Sequence, residues 1–397
     1  MSPCHQLNAG WQDVNDPDDA WRDPLQVVTG ASHPVDPRLL LHRTHGPFWE
    51  LLDEAGILLL VSREYEHLLM ALSGRGGHRE ITYLPIPHPS GVAFDAARGV
   101  VHVASTRNPN QVLELEPVAS PDWRHTDGQI GGGPLIPVRT AVLPGRLYLH
   151  DLAVIGGRLH GNAVGHDAVI RIGHGTYVDV WTPKVIEEQV PGRGGNSLQL
   201  NSIAAGRSLT TSYFTASTER PGDKTPGHPA FPVDGRGVVF SGRTREPVAR
   251  GLTRPHSARI SANDDSLWVL NSGYGELGTV DVRAGLFEPV ISLPGWTRGL
   301  ALHGHLAIVA TSRVLPRFHQ YAPGLDPDAC MCGVHIIDLR SGTALASLRW
   351  KNGDQVFAVE AVPAHFTSGL PTGPNRGAGM RDSLFYDFEP TRGKGPQ

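Results

Sequence analysis

The sequence predicts an all-β protein, a six-bladed β-propeller closed by N-terminal strands that join the C-terminal strand. The first observation is a repeated sequence pattern that predicts an apolar strand, a tight turn and further strands. It is clearest over residues 149–172. The second is that strand openings of this kind occur six times at intervals of 42 to 60 residues, the pattern of a radial repeat. The third is composition: 47 glycines and 33 prolines with 19% charged residues are typical of many short strands joined by turns.

The first blade is predicted to form from both ends of the chain. A short helix over residues 48–56 precedes three strands, 57–61, 67–72 and 81–85, which lack an opening strand of the repeated kind. Residues 355–363 form an opening strand with no strands after it. Joining the two closes the ring and removes sheet edges, so we predict six blades, with seven as the alternative count.

The other five blades follow in chain order, each begun by one opening residue. The six openers are Ser90, His150, Asn201, His256, Arg298 and Phe357. Blade 2 begins at residue 90, and the next four blades span residues 150–181, 201–249, 256–293 and 298–350. The propeller itself is assigned to residues 47–365, with a polar, proline-rich arm over residues 1–46 and a glycine- and proline-rich tail over residues 366–397.

Charge and hydropathy narrow the functional classes. A formal net charge of −4 provides no basic field for general binding of nucleic acid. The N-terminus lacks a basic start followed by an apolar stretch, and no run of about 18 apolar residues is present, so we expect neither a secretory signal nor a membrane partner. Three cysteines cannot make a disulfide framework, which makes the reducing cytoplasm the expected location.

Propeller geometry predicts which face carries function. The opening strands line the central tunnel, their starts lie at one rim, and the connections between second and third strands return to that same rim. Two of these connections are long, residues 212–235 in blade 4 and residues 313–332 in blade 6. Long loops that converge on one face usually carry binding sites, so this tunnel mouth is the predicted functional face.

Histidines at the tunnel mouth predict a metal site. His150 and His256 open two inner strands, and His88 lies two residues before the first opener. Imidazole nitrogens favour zinc, copper or iron, and two or three of them leave a coordination position open for water or substrate. Asn201, which opens the intervening blade, is assigned to orient substrate or water. The alternatives for these histidines are hydrogen bonding, acid–base chemistry or a purely structural role. Further candidate ligands are His166 and His319.

Arginines at the same mouth predict an anionic ligand. Arg298 opens a blade, and the connections between second and third strands contribute Arg63, Arg107 and Arg313. Guanidinium groups grip carboxylate, phosphate or sulfate in a bidentate manner, so Arg298 is assigned to fix such a group with help from the others. The alternative for each arginine is a salt bridge that ties loops together. The same connections contribute Asn110 and Glu276 as candidate substrate-binding residues and Tyr274 as a candidate catalytic residue.

Several strings of the sequence resemble an uncharacterised bacterial β-propeller family. The strings include LHDLAVIGGRLHGNAVG, LQLNSIAAG, RGLTRPHSAR and LWVLNSGYGELG, and the resemblance covers about residues 47–365. Members of that family are conserved hypothetical proteins, sometimes linked to tetratricopeptide-repeat or sulfotransferase modules. The resemblance implies a propeller in which His150-Asp151, Asn201 and Pro255-His256-Ser257 are family features, and it implies no particular activity.

Two functional hypotheses follow from these residues. The first is a metalloenzyme with a histidine-based transition-metal site at the mouth, acting on an anionic small molecule or peptide. Hydrolase, lyase and oxidoreductase chemistry all stay open, and the natural context would be the tailoring of a peptide or metabolite. The rival is a non-catalytic module that captures an acidic peptide or a sulfated ligand on the same face. The metal content of the purified protein separates the two.

Overall fold

The chain forms the predicted six-bladed propeller. The computed structural model describes residues 35–107, 109–118, 132–173, 175–187 and 195–373. Within them, six antiparallel sheets of four strands each are arranged as a ring, and one sheet gains a fifth strand. Most of the predicted arm and tail, residues 1–34 and 374–397, lies outside the described residues.

The strands of the described residues are, in chain order, β1 (His42–His45), β2 (Ile57–Arg63), β3 (Leu68–Ser73), β4 (Glu80–Pro85), β5 (Pro89–Asp95), β6 (Val100–Ser105), β7 (Asn110–Pro117), β8 (Leu135–Leu143), β9 (Leu149–Ile155), β10 (Arg158–Ala163), β11 (Ala168–Ile172), β12 (Tyr177–Trp181), β13 (Leu200–Ala204), β14 (Tyr213–Ala216), β15 (Gly237–Ser241), β16 (Pro247–Leu252), β17 (Pro255–Ile260), β18 (Leu267–Asn271), β19 (Glu276–Asp281), β20 (Leu286–Ser292), β21 (Trp296–His303), β22 (Leu306–Ser312), β23 (Cys332–Asp338), β24 (Thr343–Trp350) and β25 (Ala358–Pro363). The α-helices are α1 (Phe48–Glu54) and α2 (Lys184–Glu187). Short 3-10 turns span Pro37–Leu40, Arg75–Gly77, Val164–His166, Leu209–Thr211, Ser272–Tyr274 and Pro316–Tyr321. None of the helices in these described ranges has the length and apolar character needed to cross a membrane.

Blade 1 is closed as predicted. Strand β25, from the C-terminal side, pairs antiparallel with β2 from Ile57 opposite Pro363 to Ser62 opposite Ala358. Strands β3 and β4 complete this sheet. The inner strands β5, β9, β13, β17, β21 and β25 each contact the next, and β25 contacts β5. The inner wall of the ring is therefore continuous.

A repeated hydrogen bond fixes the opening strands in register. The backbone carbonyl just before the opener accepts a bond from a side chain of the preceding blade in five blades. The distances are 2.6 to 3.0 Å. The pairs of donor side chain and acceptor carbonyl are Ser90 and Leu149, Asn162 and Leu200, Asn201 and Pro255, Ser272 and Thr297, and Ser312 and Val356. Serine and asparagine, rather than histidine, thus join neighbouring blades, and the openers inferred from sequence occupy equivalent positions.

Apolar faces of adjacent blades form the core. The strand sequence ILLLVSR of β2 is buried at every position because both of its faces are covered, which explains its uninterrupted apolar run. Gly91 follows the opener of blade 2, and an added Cβ there would lie 2.5 Å from the backbone nitrogen of Leu152. Glycine at this position therefore permits the close approach of β5 to β9.

The N-terminal segment covers the outside of blades 1 and 6. Helix α1 buries Phe48, Trp49 and Leu52 in one cluster with side chains of both blades. Its last residue is Glu54, two residues short of the predicted end. Strand β1 pairs with β24, from His42 opposite Trp350 to His45 opposite Ser347, so blade 6 has five strands.

Buried neutral histidines make the fold sensitive to acid. His335 lies in β23, its Nε2 is 3.0 Å from Thr311 Oγ1, and burial lowers the pKa of His335 to about 4. The unfolded chain takes up a proton below about pH 6.5, whereas the folded chain does so only near pH 4. Stability is therefore fully present above pH 6.5 and falls by roughly 3 kcal/mol toward pH 4 on account of this residue. In urea unfolding experiments, the free energy of unfolding of His335→Gln is expected to fall less between pH 6.5 and pH 4 than that of the parent. The control His303→Gln, at an exposed position, is expected to keep the pH dependence of the parent. An unchanged slope in His335→Gln would contradict this assignment.

Candidate functional site

A cavity of about 750 Å³ lies at the tunnel mouth, where openers and long connections meet. Three openers line it: His150, Arg298 and Phe357. Five arginines line it, namely Arg107, Arg146, Arg254, Arg298 and Arg317. Six aromatic residues line it, namely Tyr65, Tyr148, Trp296, Phe318, Tyr321 and Phe357. Among the described residues of its wall, Glu64 is the one carboxylate, so the cavity is strongly positive and partly apolar.

A repeated backbone conformation directs side chains into this cavity. The residue two positions before the opener is left-handed in four consecutive blades, at His88 (φ 46°), Tyr148 (φ 51°), Gln199 (φ 53°) and Arg254 (φ 53°). This conformation is unfavourable for non-glycine residues and tends to be kept at functional sites. Three of the four, Tyr148, Gln199 and Arg254, line the cavity. None of these three was predicted as a site residue, and in the sequence they share only their position two residues before an opener.

Arg254 is a buried cation without an ion pair among the described residues. Its guanidinium lies 3.9 Å from the centre of the Tyr321 ring and donates to the side chain of Gln199 and to the carbonyl of Pro226. Burial, followed by repulsion from Arg298, lowers the pKa of Arg254 to about 10. It is therefore still charged at neutral pH, and the long loops of blades 4 and 6 hold it.

Arg298 occupies the centre of the mouth. Its guanidinium carbon lies 4.7 Å from the centre of the Trp296 ring and 4.3 Å from that of Phe357, and 7% of the residue is exposed. Burial lowers the pKa of Arg298, while the carboxylate of Glu64 acts in the opposite direction. Contact with two rings restricts the plane of the guanidinium, whose Nη2 lies near His256.

Arg107 lies beside the carboxylate of Glu64. Its Nε lies 3.7 Å from Glu64 Oε1, and its guanidinium carbon lies 5.0 Å from the centre of the Tyr148 ring. Thr106 Oγ1 donates to the same Glu64 oxygen at 2.6 Å. Arg107 is thus ion-paired, whereas Arg254 and Arg298 have no ion pair within the described residues, and Arg107 still contributes to the positive charge that lowers the pKa of His150.

His256 is held as one neutral tautomer. Its Nε2 lies 3.4 Å from Nη2 of Arg298, which can only donate, so Nε2 faces it as the acceptor. Nδ1 then carries the proton and donates to Ser257 Oγ at 2.9 Å. Burial, followed by Arg298 and His150, lowers the pKa of His256 well below its ordinary value. The imidazole therefore positions Arg298.

His150 is one of two histidines that line the cavity, the other being His166. The ring centre of His150 is 5.8 Å from that of His256, 5.2 Å from that of Phe357 and 4.6 Å from that of Tyr148. Neither ring nitrogen makes a hydrogen bond of ordinary geometry within the described residues, although the nearby amide of Asn201 favours its protonated form. Burial, followed by Arg298, Arg254 and Arg107, lowers the pKa of His150 well below its ordinary value. His150 is therefore a neutral base close to three positively charged arginines.

The three histidines predicted as metal ligands are not brought together. His88 packs edge to face against His67, with ring centres 4.1 Å apart, and is not part of the cavity wall. Across the described ranges, no group of three histidine, cysteine or acidic side chains is arranged to hold a metal ion. The Nε2 lone pair of His256 also faces Arg298. A metal at His150 and His256 would require that arginine to move, and the metal site stays a prediction.

Two predicted polar residues, Asn201 and Asn110, make hydrogen bonds to the backbone next to residues of the cavity wall. The side chain of Asn201 is buried and donates to Ser217 Oγ at 3.1 Å and to the carbonyl of Pro255 at 3.0 Å. Asn110 accepts from the backbone nitrogen of Tyr148 at 3.3 Å and also donates to a carbonyl. Both contacts fix backbone next to cavity residues, so these two side chains act as positioning residues here.

Three other predicted residues lie outside the cavity wall. Tyr274 is 37% exposed, and its hydroxyl donates to Asp234 at 3.0 Å. Glu276 accepts a bond from Asn271 at 2.8 Å. Arg313 is a solvent-exposed side chain 3.9 Å from Asp354. The partners of these three side chains come from neighbouring loops and strands. For Arg313 this agrees with the alternative that the arginine forms a salt bridge between loops.

Arg63 has a structural position instead of a place in the cavity. It is fully buried, pairs with Glu66 at 3.0 Å, donates to the carbonyl of Leu39 at 2.6 Å and lies over the Trp350 ring. It thus joins blade 1 to the N-terminal segment and to blade 6.

Removal of Arg63 is expected to destabilise the fold without affecting the mouth. Arg63→Ala leaves the buried carboxylate of Glu66 unpaired, which costs about 3 kcal/mol of unfolding free energy. Arg313→Ala, at the exposed position in the corresponding connection of blade 6, is expected to change stability by less than about 0.5 kcal/mol. Urea unfolding measures both, and equal stability of the two variants would contradict the structural role of Arg63.

The fold is shared with proteins of low sequence identity. In a nidogen–laminin complex, one chain matches with a TM-score of 0.53 at 10% identity, covering 78% of this chain and 99% of that chain. A protein of unknown function from Bacteroides caccae matches with a TM-score of 0.48 at 9% identity, over 77% of this chain and 98% of that one. A gluconolactonase from Xanthomonas campestris matches with a TM-score of 0.45 at 16% identity, over 70% and 82%. The first of these likenesses supports the propeller fold and carries no function.

Sequence comparison supports the predicted resemblance to an uncharacterised propeller family. No curated protein matches the chain. Linkage to tetratricopeptide-repeat or sulfotransferase modules stays a prediction. A family model described as "Domain of unknown function (DUF4915)" matches residues 46–369, which is most of the chain and all six blades. The chain therefore belongs to the DUF4915 family of unknown function.

Proposed function

We propose that the protein binds a small organic anion with at least two negative charges in the mouth cavity. The observation that carries this proposal is the pair Arg254 and Arg298, both buried in the wall and neither ion-paired within the described residues. Burying an uncompensated cation is costly, and a bound anion removes that cost. Folds keep such groups when a ligand supplies the missing charge.

The size and lining of the cavity support a ligand with an apolar part. About 750 Å³ accommodates a metabolite-sized molecule, and six aromatic side chains contribute to the wall. Arg254 and Arg298 line the same cavity, and the charge of Arg298 lowers the pKa of Arg254, so we infer that one ligand can contact both. A dicarboxylate or a phosphorylated organic compound combines these features, since guanidinium groups bind carboxylate and phosphate in a bidentate manner.

His150 gives the same cavity a capacity for proton transfer. It is neutral because of burial and the adjacent arginines. An anion that neutralises those arginines would raise the proton affinity of His150, which is the behaviour needed of a base that acts only on a bound ligand. The anion site therefore serves either an enzyme or a binding module.

Thermal unfolding in the presence of a panel of anions tests the proposal. The panel contains phosphate, sulfate, citrate, succinate, benzoate and a sugar phosphate, with sodium chloride at matched ionic strength as reference. We expect at least one dianion to raise Tm by roughly 5 °C at a hundredfold excess over Kd, and the effect to vanish in Arg298→Met. The matched control is Arg243→Met, at an exposed position in blade 4. Equal shifts in the parent and Arg298→Met would contradict the proposal.

A metal-dependent enzyme is the second candidate. The favouring observation is that His150 and His256 are neutral and 5.8 Å apart between ring centres, since neutral imidazole is the form that binds zinc, copper or iron. Metal analysis of protein purified without chelators decides this. Near-stoichiometric metal that is lost in both His150→Ala and His256→Ala supports the enzyme. Metal-free protein with full anion affinity would contradict a metal-dependent enzyme and leave the anion site of the first proposal intact.

A further inference from the structure

A second cavity of about 630 Å³ lies between blades 2 and 3. Its wall includes residues of β8 and β12, the outermost strands of these blades, and each of the two strands is the last in its sheet. The corresponding strands of blades 4 and 5, β16 and β20, contact each other, whereas β8 and β12 do not pack together in this way. We call this gap the inter-blade groove.

Positive charge predominates in the inter-blade groove. Its charged lining consists of Arg98 and Arg139 from blade 2, Arg158 and Arg171 from blade 3, and the carboxylates of Asp95 and Glu114. Glu114 is shared between Arg98 at 3.3 Å and Arg139 at 3.4 Å. Arg158 and Arg171 pair with no carboxylate among the described residues. An anionic partner would therefore be attracted to the groove.

A buried histidine and exposed valines add specific features to the groove. His102 lines it, is 1% exposed, and neither of its ring nitrogens makes a hydrogen bond within the described part of the chain. Its Nδ1 lies 3.8 Å from Glu114. Val142 and Val178, which also line the groove, are 58% and 47% exposed. The groove therefore offers exposed apolar side chains together with its arginines.

Among the described residues no strand pairs with the outer edge of β8, and this edge has two distinct faces. Its Arg139 is paired across the sheet with Glu114, and Val142 with Gln111, so the arginine and the valine lie on opposite faces of the strand. At the start of the strand the backbone nitrogen of Leu135 donates to the carbonyl of Gly369 at 2.8 Å, and Pro137 lacks an amide hydrogen. The part that follows Pro137 has no partner strand on its outer side within the described residues. Elsewhere the chain itself shows such an addition, since β1 pairs with the outer edge of β24.

We propose that the inter-blade groove docks an extended acidic–aliphatic segment of a partner protein, paired along the free edge of β8. Side chains alternate between the two faces of an added strand, so every second residue would meet the arginine face and the others the valine face. The segment is therefore one in which aspartate or glutamate alternates with valine, isoleucine or leucine. Pro137 and Arg139 also oppose self-pairing of exposed edges, which makes the groove selective for acidic strands.

Fluorescence anisotropy with labelled octapeptides tests this docking site. The probe alternates aspartate and valine, and two comparison peptides alternate lysine with valine and aspartate with serine. We expect binding of the first peptide alone, weakened at least about tenfold by Arg139→Glu because like charges then face each other. Arg243→Glu, an exposed charge reversal on blade 4, and Arg254→Met, in the mouth cavity, are both expected to leave peptide binding unchanged.

Three outcomes would overturn the proposal. The first is equal binding of the aspartate–valine and lysine–valine peptides, or none. The second is an equal loss in Arg139→Glu and Arg243→Glu, which indicates general attraction to positive charge. The third is concentration-dependent self-association in sedimentation experiments that Val142→Asp abolishes and the peptide does not affect, which assigns the groove to a second copy of the chain.

Discussion

Arg254→Met is expected to abolish anion binding and at the same time to stabilise the protein when no anion is present. Arg254 is 6% exposed and has no ion pair within the described residues, so removal of its guanidinium relieves repulsion from Arg298 and the cost of burial. We expect the unfolding free energy to rise by about 1 kcal/mol, because methionine retains packing against Tyr321. Affinity for the best anion of the panel should fall at least a hundredfold, which corresponds to about 3 kcal/mol.

The two effects have opposite signs, and this separates a ligand-binding arginine from a structural one. Arg63→Ala, which breaks a buried ion pair, is expected to lower stability without changing anion affinity. Urea unfolding and calorimetric titration of both variants give the comparison. If Arg254→Met lowers stability by several kcal/mol and leaves anion affinity intact, Arg254 is a structural residue and the proposed site is wrong.

Disruption of the strand that closes the ring is expected to prevent folding. Val359 in β25 is completely buried between blades 1 and 6, and Val359→Asp places an unpaired carboxylate in that core. The cost exceeds about 4 kcal/mol, a large fraction of the stability of a typical domain. The edge of β2 would then be exposed to other chains. Circular dichroism and thermal scans are expected to show no cooperative transition.

The matched control is Val290→Asp. Val290 lies on the outer strand β20 and is 37% exposed, so the same chemical change there is expected to alter Tm by only a few degrees. A Val359→Asp variant with the Tm of the parent would contradict closure of the ring by β25.

The fold could be predicted because its signals are local and repeated. The six openers have similar short sequences, and the tight turns between strands are marked by glycine and proline. Closure of the ring could be predicted by counting strands at both ends of the chain. No blade strand follows β25, and strands β2 to β4 have no opening strand before them, so the four strands complete one blade. Boundaries were less accurate where backbone conformation decides them. His67, predicted as the first residue of a strand, is left-handed, and β3 begins at Leu68.

The site could be predicted only in part. His150, Arg298 and Arg107 were found because they occupy repeat positions that face the mouth. The role of Arg63 depends on contacts with Leu39 and Trp350, far away in the sequence, which no local pattern indicates. Arg254 was missed because its side chain enters the cavity through a left-handed backbone, which a pattern of strands and turns does not predict.

The long loop of blade 6 was the other source of missed residues. Its 3-10 turn Pro316–Tyr321 contributes Arg317, Phe318 and Tyr321 to the cavity wall. The length of the loop predicted a binding role, but which of its side chains face inward depends on packing against Trp296 and on a contact with the loop of blade 4. Loops that are distant in the sequence make such contacts only because the closed ring brings their blades together.

Anomalous diffraction from crystals soaked in selenate tests the central claim most directly. Selenate is a dianion with the shape of sulfate and phosphate, and selenium is located independently of the protein. We expect the strongest anomalous peak inside the mouth cavity, within hydrogen-bonding distance of the guanidinium groups of Arg254 and Arg298. Selenate bound only at exposed arginines, with none in the cavity at saturating concentration, would contradict the account.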